Sequence, residues 1–208
     1  MAQGFALAPR SRRQRNPRAR KQALIAAAVE RFAARGYDAA TTEEIAACAG
    51  CAEGLIHRYF GGKRGLLLAL IDHRASQELV ELAQRCPLAA TLAQEYLQLL
   101  DWEIESMWQD RNFLRVIMSR ALVEPDFGKV LNTVGLSRHV PAFVERLDHF
   151  EQYRALPGEE RQALAQSIKV LGLVFGFMRP IVLGQGRVAS RSTAMTIAAT
   201  MIRGISAA

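Results

Sequence analysis

Cysteine, long apolar runs and strand-like alternation are all scarce in this chain. Its 208 residues include only Cys48, Cys51 and Cys86, too few and odd in number for a disulfide framework. Such cysteine usage fits a reducing, cytoplasmic setting. No apolar run approaches the roughly 20 residues of a membrane span, and the N-terminal arginines follow the weakly apolar stretch, the wrong order for a secretion signal. We therefore expect a cytoplasmic protein without a membrane partner.

Motifs that carry catalysis or hold metal ions are also missing. The sequence contains no Gly-x-Ser-x-Gly elbow, phosphate-binding loop, His-Glu-x-x-His or paired zinc motif, and its four histidines are scattered. We predict neither an enzyme, a cofactor nor a metal site. Turnover of a bound small molecule would be the observation that contradicts this.

Positive charge is concentrated at one end of the chain. Residues 1–74 hold 13 Lys/Arg against 6 Asp/Glu, whereas residues 75–208 hold 14 of each, so the net charge of +7 belongs to the N-terminal part. Residues 1–16 have no acidic residue and are predicted to be a disordered basic tail. This asymmetry indicates a polyanionic partner for one part of the chain, the alternative being a basic tail that binds nothing.

Helical periodicity dominates the remainder, which predicts an all-α protein of about nine helices. The predicted domains are a helix-turn-helix domain at 17–62 and a larger helical effector-binding and dimerisation domain at 63–208. The predicted helices cover 17–35, 41–47, 53–59, 63–85, Leu88–Gln109, Arg111–Val123, Lys129–Ala155, Glu159–Leu183 and Ser192–Ile205.

Residues 41–70 hold the most informative pattern. Thr41 and Glu44 have capping-box spacing at the start of a helix, Gly50 permits a tight turn, and a short second helix ends at Gly61-Gly62. This arrangement is typical of a helix-turn-helix, which places its second helix in the DNA major groove.

The run from Leu24 to Leu70 resembles the N-terminal domain of TetR-family transcriptional repressors. The matching positions are Ala26, Ala27, Val29, Phe32, Gly36-Tyr37, Thr41-Thr42, Ile45-Ala46, Ala49-Gly50, Gly54-Leu55-Ile56, Tyr59-Phe60, Lys63 and Leu66-Leu67. The resemblance implies DNA contacts from Thr41, Thr42, Glu53, Gly54, Leu55, His57, Tyr59 and Lys63. Glu53 is also explained as a first-turn acid favoured by the helix dipole, and His57 and Tyr59 as surface packing.

The sequence departs from the family pattern at three positions. His57 stands where tyrosine is usual, Cys51 replaces a buried aliphatic residue, and Ala52 replaces a polar helix cap, a loss that costs about 1 kcal/mol. Cys48 and Cys51 form a Cys-x-x-Cys pair across the turn. They could act as a redox switch or, with His57 and a further ligand, hold zinc, but both also suit small apolar fillers.

For the C-terminal domain, the resemblance implies a homodimer through Glu159–Leu183 and Ser192–Ile205, with Gly172 and Gly176 permitting close approach. The alternative is that these helices are buried within one chain. The resemblance also implies a pocket for a small effector. Candidate ligand contacts are Trp102, Trp108 and Phe143, although aromatic residues at helical spacing also suit a core. The leading hypothesis is a ligand-responsive repressor that binds a palindromic DNA operator and is released by a hydrophobic or aromatic effector. The alternative is a helical interaction module without sequence-specific DNA readout, which a salt-resistant footprint would rule out.

Overall fold

The computed structural model describes residues 16–136 and 138–206, and these residues form eleven α-helices and no strand. The all-α prediction is therefore confirmed, with eleven α-helices in the described residues rather than about nine. The helices are α1 (Pro17–Ala39), α2 (Thr42–Cys48), α3 (Gly54–Phe60), α4 (Lys63–Arg85), α5 (Leu92–Gln109), α6 (Arg111–Val123), α7 (Pro125–Leu131), α8 (Val140–Leu147), α9 (Glu151–Arg154), α10 (Gly158–Gly172) and α11 (Arg187–Ser206). Two π-helical segments follow α7 and α10, at Asn132–Leu136 and Leu173–Val182. The predicted tail, apart from Asn16, lies outside the described residues.

Local signals explain the ends of the first helices. The Asn16 side chain caps α1 by accepting hydrogen bonds from the next two free backbone N–H groups. Gly36, with φ of 77°, interrupts α1 at the predicted stop, and one further turn follows the kink. The predicted capping box is present: Thr41 Oγ1 accepts from the Glu44 amide at 3.1 Å, and Glu44 Oε2 accepts from the Thr41 amide at 3.2 Å.

Apolar side chains form two cores. The first joins α1–α3 to the first half of α4 and to α6 and α7, with Leu24, Phe32 and Ile45 among its buried members. The second joins α5 to α8, α10 and α11 around Tyr96 and Phe143. The helices of the predicted helix-turn-helix are therefore packed directly against helices of the C-terminal part of the chain.

The predicted helix Lys129–Ala155 is wrong as a single element. The chain instead forms α7, a π-helical segment, α8 and α9 over this stretch. Pro141 lies in the first turn of α8, a position that proline favours because its missing N–H has no helical acceptor there. Two boundaries also shift: α5 begins after the Thr91 cap rather than at Leu88, and α11 begins at Arg187 rather than Ser192.

The apolar stretch Gly158–Val182 runs through α10 and the π-helical segment that follows it. Its most apolar window has a mean hydropathy of 1.3, so length and composition alone would allow a membrane span. In the fold, α10 packs against α5 and α8, and the π-helical segment packs against α5 and α11. Pro180 lies within the π-helical segment, which continues past it to Val182.

Two glycines in that stretch bring it close to α5. A Cβ on Gly172 would lie 2.2 Å from Glu103 Cγ, and one on Gly176 would lie 2.7 Å from the Ile104 carbonyl oxygen. These glycines were predicted to permit close approach at the interface between subunits. The structure shows that they permit close packing inside one subunit.

Candidate nucleic-acid interface

A rigid base supports the helix-turn-helix. Ile45 of α2 and Ile56 of α3 are fully buried in the first core, where they hold the two helices at a fixed angle. A Cβ on Gly65 would lie 1.6 Å from the carbonyl oxygen of Phe60, so only glycine lets α4 start so close to the end of α3. Gly61, with φ of 73°, makes the turn between them.

The outer face of α3 presents the predicted base-reading residues together. Glu53, Gly54 and His57 are exposed, and Leu55 and Tyr59 are half-buried. A Cβ added to Gly54 would meet nothing within 4 Å, so the backbone there is open to close approach by a partner. Arg58 adds one exposed positive charge to the helix.

A hydrogen bond that sequence reasoning missed joins two predicted DNA contacts. The Thr42 hydroxyl donates to Glu53 Oε1 at 2.5 Å and ties the start of α2 to the start of α3. Glu53 makes no side-chain cap of α3, and Thr41 uses its hydroxyl in the capping box. In this arrangement Glu53 is a positioning group for Thr42.

Lys63, the predicted phosphate contact at the start of α4, has protein partners. Its Nζ donates to the backbone oxygen of Asp38 at 3.1 Å and lies 4.6 Å from the centre of the Tyr37 ring. Burial lowers the pKa of Lys63, and the charge of Asp38 opposes that shift. Lys21, which the sequence analysis did not single out, stacks on the Tyr59 ring at 5.5 Å and adds a charge beside α3.

A charged clamp connects the helix-turn-helix domain to α6. Arg120 donates to Asp38 Oδ1 at 2.9 Å and pairs with Glu124 at 2.5 Å. The Arg120 guanidinium also stacks on the Tyr37 ring, 4.8 Å from the ring centre. Lys63 contacts the same ring. Two cations therefore contact one ring at the junction between the DNA-binding helices and the C-terminal helices.

Cys48 and Cys51 are not bonded to each other. Cys48 is exposed and donates from Sγ to Glu30 Oε2 at 3.5 Å, while Cys51 donates to the backbone oxygen of Ala49 at 3.5 Å. Within residues 16–136 and 138–206, no cluster of three His, Cys, Asp or Glu side chains is placed to hold a metal ion. The redox role stays a prediction.

Residues 24–70, which span α1 to the start of α4, match the family model described as bacterial regulatory proteins of the tetR family. This part of the chain, residues 24–70, is a TetR-family domain. No curated protein matches it significantly.

Solved structures of TetR-family fold extend the likeness to the C-terminal helices. The fatty acid degradation regulator FadR of Bacillus halodurans is 18% identical, with a TM-score of 0.60 over 89% of this chain and 96% of its own. FadR of Bacillus subtilis in complex with stearoyl-CoA is 20% identical, with a TM-score of 0.65 over 86% and 97%. A tetR-family regulator of Streptomyces coelicolor is 18% identical, with a TM-score of 0.66 over 91% and 83%.

The three predicted ligand contacts occupy two places in this TetR-family fold. Trp102 and Phe143 pack edge-to-face with ring centres 6.4 Å apart, and both contact the His139 ring. Phe143 is fully buried, whereas Trp102 is half-buried. Trp108 lies apart from them, with Arg111 and Arg187 each stacked 4.8 Å from its ring centre.

A buried ionic network, which periodicity could not reveal, surrounds His139. Lys169 Nζ donates to Glu103 Oε1 at 2.6 Å and to His139 Nδ1 at 3.1 Å. The other ring nitrogen of His139 lies 3.2 Å from both Glu78 Oε2 and the Ala75 carbonyl oxygen. His139 Nδ1 also lies 3.5 Å from Glu103 Oε2. Glu103 Oε2 is buried without a hydrogen-bond partner among the described atoms.

The pKa values of the two buried glutamates, Glu78 and Glu103, are shifted in opposite directions. Burial, reinforced by a hydrogen bond with Asp110, raises the pKa of Glu78 to about 8. Burial would also raise the pKa of Glu103, but the charge of Lys169, which donates a hydrogen bond to it, lowers it overall. The network therefore holds a protonated Glu78 beside an ionised Glu103.

Open space reaches this network from one side. A groove of about 670 Å³ runs between α8 and α10, and we name it the α8–α10 groove; it is lined by Asn132, Val140, Pro141, Val144, Gln162, Gln166, Lys169, Val170 and Leu173. A cavity of about 50 Å³ lies on the inner side, against Glu78, His139 and Lys169. Lys169 lines both spaces, so it connects the groove to the buried network.

Proposed function

We propose that the protein is a ligand-responsive transcriptional repressor that binds a palindromic operator as a homodimer. The observation that carries the proposal is the exposed face of α3, with an open backbone at Gly54 and exposed Glu53 and His57, on a helix pair held rigid by its core. The positive charge of the N-terminal part supports a phosphate-bearing partner. Such a protein would act in the cytoplasm, on the nucleoid.

The proposed DNA contacts divide by role. Glu53, Gly54, Leu55 and His57 face base edges in the major groove, where Glu53 can accept from a cytosine amino group and Leu55 can touch a thymine methyl. Contacts to phosphates come from Thr41, Thr42, Tyr59 and Lys63, and Lys21 joins them because it stacks beside Tyr59. Lys63 reaches a phosphate only by leaving the Asp38 oxygen, so its contribution to affinity is reduced by the bond it gives up.

The proposed dimer interface is the outer face of α11 and of the stretch Glu159–Leu183. Several apolar side chains there are exposed in a single chain, which is a typical sign of a protein interface. They are Met178, Val182, Leu183, Val188, Ile197 and Met201. Two helices from each subunit would bury this surface in a four-helix bundle and set the spacing of the two α3 helices.

The proposed effector is a hydrophobic or aromatic small molecule that enters the C-terminal domain through the α8–α10 groove. Mostly apolar walls and a volume of about 670 Å³ suit such a ligand. Lys169 offers it one cation, and Trp102 and Phe143 lie behind the groove around His139. The Bacillus subtilis neighbour was solved with stearoyl-CoA, a ligand with a long apolar chain.

Effector binding would release DNA by favouring a conformation with a different spacing of the two α3 helices. The clamp from Arg120 to Tyr37 and Asp38 is the proposed connection, because it joins α6 to the DNA-binding helices. A ligand that moves α6 would therefore also move α1.

The first experiment is selection of bound duplexes from a random DNA library at about 150 mM salt. A two-fold symmetric motif is the expected result. A matched protein with Gly54→Gln on α3 should retain no motif while keeping its helical content. Retention of DNA without sequence preference, lost as the salt concentration rises, would contradict the proposal. It would favour the helical interaction module, which is also consistent with the single positive charge on α3.

A further inference from the structure

A second large groove lies between the DNA-binding helices and the C-terminal helices. It has a volume of about 670 Å³ and runs between α1, α4 and α6; we name it the interdomain groove. Its volume falls in the range of roughly 300–1,000 Å³ that is usual for small-molecule sites. The interdomain groove and the α8–α10 groove share no lining residue.

One wall of the interdomain groove is entirely apolar. The residues that α1 contributes are Ile25, Ala26, Val29, Phe32, Ala33 and Gly36. Val29 is 48% exposed, a large fraction for a valine that faces a concave surface. Leu70, Phe113 and Val116 continue the apolar surface onto α4 and α6. Burial of an apolar ligand body here would remove this surface from water.

The opposite wall carries the polar groups, and its charge is not balanced. Arg74 donates to Asp110 Oδ2 at 2.7 Å, so these two charges compensate each other. Arg115 is exposed and pairs with no acidic side chain in the described parts of the chain. The other polar lining residues are His73, Gln77 and Asn112, all of which can donate hydrogen bonds. One positive charge and several donors thus face an apolar wall.

We infer that the interdomain groove is a binding site for a soluble amphipathic monocarboxylate. The carboxylate pairs with Arg115, for which a planar guanidinium is well suited, and the apolar body lies along α1. Because α1 packs on α2 and α4, an occupant of this groove fixes the position of the DNA-binding helices relative to α6. The site is separate from the proposed effector groove and exists whether or not the protein binds an operator.

The test uses the full-length protein and sodium decanoate below its aggregation threshold, with binding followed by titration calorimetry. Methyl-labelled protein and nuclear Overhauser contacts identify the site. Decanol and decyltrimethylammonium serve as neutral and cationic probes of the same chain length. Ala33→Phe fills the groove from an exposed position, and its matched control is Ala34→Phe, since Ala34 is exposed on the same helix but does not line the groove.

The expected result is saturable binding of decanoate with contacts to the methyl groups of Ile25, Val29 and Val116. Ala33→Phe should weaken it by about tenfold or more, whereas Ala34→Phe should change it by less than about twofold. Arg115→Gln should weaken the binding of decanoate by about tenfold and leave the affinity for decanol unchanged. Arg85→Gln is the control, because Arg85 is also an exposed arginine.

Three outcomes would overturn the inference. They are the absence of saturable binding, equal binding by the Ala33→Phe and Ala34→Phe proteins, and methyl contacts confined to the α8–α10 groove. Preference for the cationic probe would likewise reject the proposed pairing with Arg115. None of these outcomes bears on the operator selection, so the two proposals fail independently.

Discussion

At the scale of single residues, Gly54 at the start of α3 and Gly65 in the first turn of α4 should let folding and the proposed DNA binding be measured separately. Gly54→Ala places a methyl group in open space, so the free energy of unfolding should change by less than about 1 kcal/mol. Operator affinity should fall by about tenfold or more, because that methyl group would face the bases. Gly65→Ala would push a Cβ into the Phe60 carbonyl oxygen and should destabilise the protein by at least about 2 kcal/mol.

Urea unfolding and fluorescence anisotropy on an operator duplex measure the two effects in the same preparations. Gly186→Ala is the control, because its added methyl group also meets nothing and lies far from α3 in the chain. If Gly54→Ala binds the operator as tightly as the parent protein, the backbone of α3 does not approach DNA closely.

Contacts between residues far apart in the sequence could not be predicted from the sequence. The capping box of α2 was readable because its two partners are three residues apart. The hydrogen bond from Thr42 to Glu53 joins residues 11 apart in sequence. In the network around His139, Lys169 is 30 residues from His139 and 66 residues from Glu103. Such contacts depend on how helices pack, which periodicity does not encode.

At the scale of elements, the start of α3 lacks a side-chain cap. The first turn is closed only by backbone bonds, from the Leu55 amide to Ala52 and from the Ile56 amide to Glu53. Ala52→Ser should supply the missing acceptor and raise the free energy of unfolding by about 0.5–1 kcal/mol. Ala47→Ser, at an exposed position inside α2, should not raise it. Equal stability of the parent and Ala52→Ser proteins would show that solvent already satisfies that turn.

Helix boundaries were predictable where a capping residue or a proline lay nearby in the sequence. They were less predictable where packing between helices determined the boundary. The start of α1 follows from the Asn16 cap, and the start of α2 follows from the Thr41 cap. The bounds of α6 agree with the predicted Arg111–Val123. The break before α8 had a readable signal, since Pro141 favours a first helical turn, but the apolar periodicity on either side concealed it. The π-helical segment at Leu173–Val182 was not predicted, and Gly176 within it lies in close contact with α5.

At the scale of the whole molecule, the buried network makes stability depend on pH. The folded protein holds a proton on Glu78, with a pKa of about 8, that the unfolded chain releases near its ordinary pKa of 4.5. The folded state binds more protons between these values, so stability should fall as pH rises from about 5 to 8. The slope from this group is at most about 1.4 kcal/mol per pH unit.

Glu78→Gln keeps a neutral side chain of the same shape at every pH. It should flatten this slope and be more stable than the parent protein at pH 8, as measured by urea unfolding across the pH range. Glu160→Gln is the control, since that carboxylate is exposed in the first turn of α10. Identical pH profiles for Glu78→Gln and the parent protein would contradict a raised pKa at Glu78.

Assembly is the last property that belongs to the whole molecule. Ile197 and Met201 lie one turn apart on α11 and are 37% and 39% exposed, so an acidic residue at either position should not disturb the core of one chain. In a dimer built on this face, Ile197→Glu or Met201→Glu would bury a charge without a partner. We expect dimer dissociation constants raised by about 100-fold and operator affinity lost with them.

Sedimentation velocity and operator binding, measured on the same samples, test this expectation. Val80→Glu is the matched control, because Val80 is 55% exposed on α4, away from the proposed interface, and this variant should remain dimeric. A dimer that survives Ile197→Glu and Met201→Glu but dissociates with Val80→Glu would move the interface to α4. The two α3 helices would then be spaced by a different helix pair, and the half-site separation in the selected operator would have to agree with that geometry.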